Sequence, residues 1–240
     1  MAISSSTASV IAQDTSTASA TKTCIIPSEV PEGATIFVGF YNRTNATATL
    51  VGVSDPVNGS WTLTDRVSTA THSGTSGTFF IVRENSASLV SEANRTITVE
   101  TSEGVSSVMA AGWIDLDGST SALVFQAFAT AAVLTTTTDA DSNTVADADA
   151  GAVVGFSSSN GSQATWTEDA GGTVIAATGG RAQLFFLSYA ASGGPYGFTT
   201  TPATSGNFMF HVVAFSEPAA GGGSNQASVR NFRRMMFGMG

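Results

Sequence analysis

The chain has 240 residues, with 9 basic against 18 acidic side chains and a net charge of −9. Only 11% of its residues are charged, which with the acidic balance excludes a globular nucleic-acid binder, because phosphate contacts need a basic face. The single Cys24 excludes an intrachain disulfide framework and a multi-cysteine zinc site, and no run approaches the roughly 18 apolar residues of a membrane helix.

Residues 1–24 are small and polar apart from Val10 and Ile11, and read as an extended N-terminal arm or a first edge strand. They carry no basic region followed by a long apolar run, so no signal peptide is expected. Residues 25–217 carry a β pattern. The turn residues Pro31-Glu32-Gly33 lead into a strand over residues 34–41, rich in β-branched and aromatic side chains. Residues 77–83 form a second such run. Residues 95–101 alternate, with Ile97 and Val99 on one face and Thr96, Thr98 and Glu100 on the other. Residues 107–114 are a longer apolar run that ends in the turn Asp115-Leu116-Asp117-Gly118. Further strands are expected over 151–156, 182–189 and 207–215. Asn58-Gly59, Ser73-Gly74, Asn160-Gly161, Gly171-Gly172 and Gly179-Gly180 mark turns between the strands. No long helical period occurs before the tail, so the fold class expected is all-β: a jelly-roll-like or Greek-key β-sandwich.

Two stretches, 25–118 and 150–217, echo each other. Phe80 follows Trp61 by nineteen residues, and Phe185 follows Trp166 by the same interval. Each Trp is preceded by an apolar strand, and each stretch closes on another apolar run. This suggests a duplicated unit whose two halves share one core. Trp61, Phe80, Trp113, Phe185 and Phe210 are the expected core aromatics.

The succession Glu32–Val38, Gly59–Leu63, Gly77–Arg83, Arg95–Thr101 and Met109–Asp115, followed by its shorter echo, resembles a β-sandwich module of bacteriophage virion proteins. Such modules occur in capsid decoration and cement proteins, head fibres and tail appendages. The resemblance covers about residues 25–216 and lies in pattern more than in identities. It implies a non-enzymatic structural role and location in a virion. The expected partners are other virion subunits, either a major capsid protein or neighbouring copies in a homo-oligomer.

Groups able to carry chemistry are few. His72 sits in a Ser/Thr/Gly turn and reads as a solvated loop residue. His211 lies in the apolar run 208–215 and reads as facing an interface or the edge of the core. Neither has partners at the spacing of a metal site or a triad, and Cys24 reads as a small buried hydrophobe. Asp139, Asp141, Asp147 and Asp149 offer hard oxygen donors for calcium, but the glycine and final glutamate of an EF-hand loop are missing. An exposed acidic loop is the favoured reading of that stretch. Asp115 and Asp117 read as turn residues. No cofactor and no catalytic residue is expected. A carbohydrate-binding adhesin is the alternative, with Gly194–Phe198 as the one loop that sets aromatic rings beside polar groups.

The tail is distinctive. Residues 1–229 hold six basic and eighteen acidic side chains, a charge of −12, whereas the last eleven residues add three arginines and no acid. Residues 218–240 therefore read as a Gly-rich linker and a basic C-terminal arm. Arg230, Phe232, Arg233, Arg234, Met235, Met236 and Phe237 are the expected partner-binding residues, with Met and Phe as anchors and Arg as clamps.

Overall fold

The computed structural model describes residues 3–5, 13–43, 47–64, 66–72, 76–116, 124–135, 140–141, 150–159, 166–168, 173–178, 182–188, 199–202 and 206–216. The described residues are all-β. The first half of the chain supplies β1 (Ile3–Ser5), β2 (Gln13–Ile25), β3 (Thr35–Asn42), β4 (Leu50–Asp55), β5 (Gly59–Ser60), β6 (Val67–His72), β7 (Ser76–Glu84) and β8 (Thr96–Leu116). The second half supplies β9 (Val124–Thr135), β10 (Ala140–Asp141), β11 (Ala150–Ser159), β12 (Trp166–Glu168), β13 (Thr173–Thr178), β14 (Ala182–Ser188), β15 (Thr199–Pro202) and β16 (Gly206–Ser216).

Each half builds its own antiparallel sheet, and the two sheets pack face to face as a β-sandwich. In the first sheet the order across its centre is β6-β7-β3-β8-β2. In the second it is β13-β14-β11-β16-β9. Taken in chain order, the five strands of one sheet correspond one to one with those of the other, so both halves thread the same Greek-key-like path. The registers agree residue by residue. Gly39 stands opposite Phe80 and Ala110, and Gly155 stands opposite Phe185 and Val212. The two sheets thus repeat one topology, which includes β2 and β9, strands that apart from Ile25 lie outside the echoing stretches 25–118 and 150–217, and the core cluster takes buried residues from both halves. A small third sheet, β10-β15-β12, belongs to the second half.

The first sheet curls into a half-barrel around β8. Sequence reading separates residues 95–101 from 107–114, but the structure joins them in one strand of 21 residues. Along one edge of β8, Thr98–Thr101 pairs with β4 and Ser107–Ile114 with β3; along the other edge it pairs with β2 and β1. Two strand groups sharing one edge of one long strand must diverge, and the sheet bends. Asp115 is a strand residue opposite Ser4, not part of a turn. Of the expected N-terminal arm, residues 13–24 form most of β2, the edge-strand alternative.

Successive side chains on a strand point to opposite faces. Phe37, Thr78 and Phe80 of the first sheet face the second, meeting Phe215, Met209 and Phe156. Gly39 lies on that same face, and the ring of Phe156 rests on its backbone: a Cβ there would sit 2.1 Å from the ring. Phe40 and Phe79 point the other way, into the hollow of the half-barrel. Because Gly39 corresponds to Gly155 and Phe40 to Phe156, the sheets stack in the same sense, like two cups. The Phe156 face of the second sheet is closed by the first sheet. The equivalent Phe40 face of the first sheet is closed by its own curl.

Of the expected core aromatics, Trp61, Phe80, Trp113 and Phe210 are buried. Phe185 lies on β14, and its side chain falls outside what the structure describes.

Candidate functional site

The curl of the first sheet is secured by a hairpin. Asp55 ends β4, and its Oδ1 accepts the backbone N–H groups of Val57 and Asn58 at 3.0 and 2.7 Å. Gly59 takes φ +69°, the left-handed conformation that closes such a loop. The Trp61 indole N–H then donates to Asp55 Oδ2 at 2.7 Å, which holds the ring against the half-barrel. Arg83 lies 5.5 Å above that ring.

Among the described residues the half-barrel does not close. Between β4 and β6 it leaves a hollow of about 380 Å³. Ala48, Leu50, Leu63, Val67 and Phe79 line it, and the exposed Thr49, Thr69 and Thr71 stand at its rim. Leu50, Leu63, Val67 and Ala70 are only partly buried, so the hollow keeps apolar surface in water. Among the described strands β6 pairs with β7 alone, so it is an edge strand beside an apolar hollow.

A second, smaller hollow of about 170 Å³ lies where the halves meet at the Thr35 end of β3. Here the Arg66 guanidinium of the first half sits 4.3 Å over the Phe125 ring of the second. Phe125 in turn packs edge-on against Phe215. The contact is a clasp between halves.

His211 is fully buried between the sheets. Sequence reading puts it at an interface or the core edge; it lies at an interior interface, that of the two halves. Its Nε2 is 2.5 Å from Thr78 Oγ1 and its Nδ1 is 2.9 Å from Ser68 Oγ. Both hydroxyls belong to the first sheet. A neutral imidazole has one donor and one acceptor nitrogen and can serve both. Burial pushes its pKa down to about 3, so the ring is neutral at physiological pH. A ring this reluctant to take a proton is a poor general base, and the cluster acts as a polar pin. Cys24 is likewise fully buried, and burial raises its thiol to about 12.

Several residues singled out in the sequence fall elsewhere. Asp141 ends β10, but its side chain is not described, and Asp139, Asp147 and Asp149 lie outside the described residues, so the calcium reading finds no geometry. Among the described residues no group of three or more His, Cys, Asp or Glu could hold a metal ion. Arg230, Phe232, Arg233, Arg234, Met235, Met236 and Phe237 all lie outside the described residues, as does Gly194–Phe198. His72 ends β6 as the partner of Ser76, so its backbone is in a strand, not a loop. Sequence reading missed the hollow, because apart from Gly77 and Phe79 of β7 its lining comes from residues 48–50, Leu63 and β6, none of which has a marked apolar pattern.

Set against family models, curated proteins and solved structures, the chain matches none.

Proposed function

We propose that the chain is a non-enzymatic structural protein of a bacteriophage particle, a capsid cement or decoration protein that bridges neighbouring subunits. The observation that carries this reading is the open half-barrel: an edge strand beside a partly wet apolar hollow is a surface made to be covered. The sequence adds a fitting counterpart in the tethered basic, Met- and Phe-rich arm. Low charge and abundant Ser, Thr and Ala suit a surface covered by symmetric partners. A tail or head-fibre position follows the same logic with different neighbours. An adhesin would need exposed aromatic platforms. Its candidate loop, Gly194–Phe198, lies outside the described residues, and among the described residues Trp61 and Trp113 are 6% and 8% exposed, with their N–H groups turned to Asp55 and Ser28.

A chain truncated after Glu217 tests the reading. Circular dichroism should report an intact sandwich, and incorporation into particles should fall to background. A full chain that stays out of particles would overturn the reading, and a truncated chain that incorporates as well as the full one would assign the binding to the N-terminal arm or the sandwich face.

A further inference from the structure

We propose that the hollow between β4 and β6 is the receptor for the C-terminal arm, residues 225–240, of a second copy of the chain. The inference rests on the reading of the protein as an assembly component and names the surface that does the assembling. Three observations point to this occupant.

The first is fit. The hollow holds the volume of about a dozen water molecules at about 30 Å³ each, room for one or two large side chains. Phe232, Met235, Met236 and Phe237 are such side chains, and the unbranched thioethers adapt to an irregular apolar wall. The edge of β6 beside the hollow offers backbone groups to an extended segment, so main-chain hydrogen bonds and side-chain anchoring can act together.

The second is direction. β16 ends at Ser216, and the residue before it, Phe215, packs on Phe37 near the Thr35 end of β3. The hollow is lined by Phe79, which with Phe40 lies on the opposite face of the first sheet. The chain thus leaves β16 on the other side of the first sheet from its own hollow. Phe232 follows Ser216 by 16 residues, a length of chain that spans at most about 55 Å. Entering the hollow of a neighbour needs no passage around the edge of its own sheet.

The third is charge. The body up to residue 229 carries −12 and the remaining eleven residues +3, so arm and body of different copies attract. Glu100, an exposed β8 residue opposite Gly52, puts an acidic group beside β4. Arginine forks bind carboxylates in two places.

Complementation between two full-length variants tests the proposal by sedimentation velocity. One carries Val67→Asp in the hollow, the other Phe232→Asp with Met236→Asp in the arm. Because Val67→Asp could unfold the sheet, a rim variant, Thr69→Arg with Thr71→Arg, blocks the same entrance through exposed positions. The full chain should self-associate. Each variant alone should associate at least about tenfold more weakly, as expected when an anchor is lost. Hollow and arm variants mixed should pair again, because one intact arm meets one intact hollow. A monomeric full chain, hollow and rim variants that associate normally, or a mixture that stays apart would each overturn the proposal. If the arm variant fails to associate while both hollow variants succeed, the arm binds another surface: this inference falls and the assembly role stands. If the full chain does not enter particles, the assembly role itself falls.

Discussion

The two halves of this protein thread the same five-strand path, yet they finish the same face in different ways. In the second half the Phe156 face is closed by the first sheet, with Phe37, Thr78 and Phe80 as the lid. In the first half the equivalent Phe40 face is closed by a curl of its own sheet, secured by Asp55 and Trp61, and the closure stops short of a hollow. The registers make the exchange specific. His211 stands opposite Phe156, where the first half has Met109 opposite Phe40. An apolar Met suits a face covered by its own strands; His211 instead meets two hydroxyls of the other sheet. Two halves of like topology are thus unlike partners, one receiving and one received, with an apolar face left over. Stacking in the same sense, without two-fold symmetry, is what leaves one end unsatisfied.

The largest effect expected comes from breaking the shared layer. Phe156 rests on Gly39 and stacks with Phe80 and His211, so Phe156→Ala should cost about 3–5 kcal/mol. Both halves should lose that stability together. Urea unfolding followed by Trp fluorescence and by circular dichroism should give coincident transitions at a lower midpoint. If the first sheet keeps its midpoint while the second melts, the halves are separate folding units and the shared-core description is wrong.

Acid should act on the same layer nearly as strongly. The folded protein holds His211 near 3, whereas the unfolded chain titrates it near 6.5, so between those values the unfolded state binds more protons. The stabilisation is complete above pH 6.5 and drains away as pH falls toward 3, up to about 5 kcal/mol at 1.36 kcal/mol per pH unit. Urea midpoints measured from pH 7 down to 3.5 should trace that slope. His211→Met, which restores the residue of the first half, should remove the part of the slope below pH 6.5 that belongs to this ring. It should also cost roughly 1–3 kcal/mol at pH 7, through hydroxyls left without the imidazole. An unchanged acid slope in His211→Met would show that the carboxylates dominate and that the pin has no pH role.

Much of this architecture was legible in the sequence, and the parts that were not share a cause. β3, β7, β11, β14 and β16 are dense in Phe, Val, Ile and Leu, and their expected and observed limits nearly coincide. β9 went unseen although it pairs with β16 over nearly its whole length, because four alanines dilute its Val, Phe and Thr. β4 and β6 were missed because each is only six residues of mixed small, polar and apolar side chains, and with them the hollow. The nineteen-residue interval between Trp and Phe pointed to the repeat, but no sequence signal states that the repeats stack in the same sense. That depends on which face of each sheet meets the other. The His211 pin was hidden as well, since Ser68 and Thr78 lie more than 130 positions away and are two among many hydroxyl residues.

A further difference between the halves can be made sharper at Gly39. On the first sheet the glycine lets Phe156 approach the backbone, and a methyl group there must displace a stacked ring. Gly39→Ala should therefore cost about 2–3 kcal/mol, even though removing a glycine from a strand is otherwise favourable. Adding Phe156→Leu should recover part of the loss, since the smaller side chain makes room for the Cβ. Thermal midpoints of the two single variants and the double variant give the coupling. Strict additivity would mean that the close approach does not limit the packing of the sheets.

The smallest effect concerns the border between strand and arm. Cys24 stands opposite Ile97 in β2, the strand whose counterpart in the second half is β9. If β2 belongs to the sheet as β9 does, Cys24 is shielded until the sheet opens as a whole. Burial holds its thiol near 12, so at pH 8 the native protein carries almost no thiolate, and thiolate is the species that reacts. Labelling with a disulfide reagent at pH 8 should therefore proceed no faster than global unfolding. The rate should rise with urea along the same slope as the unfolding transition. Cys24→Ala should cost only about 1 kcal/mol, since it removes one small buried group. Labelling that runs far ahead of unfolding, with little dependence on urea, would show that β2 peels away by itself. The first sheet would then be a four-strand core with a detachable edge, and its likeness to the second sheet would end at β8.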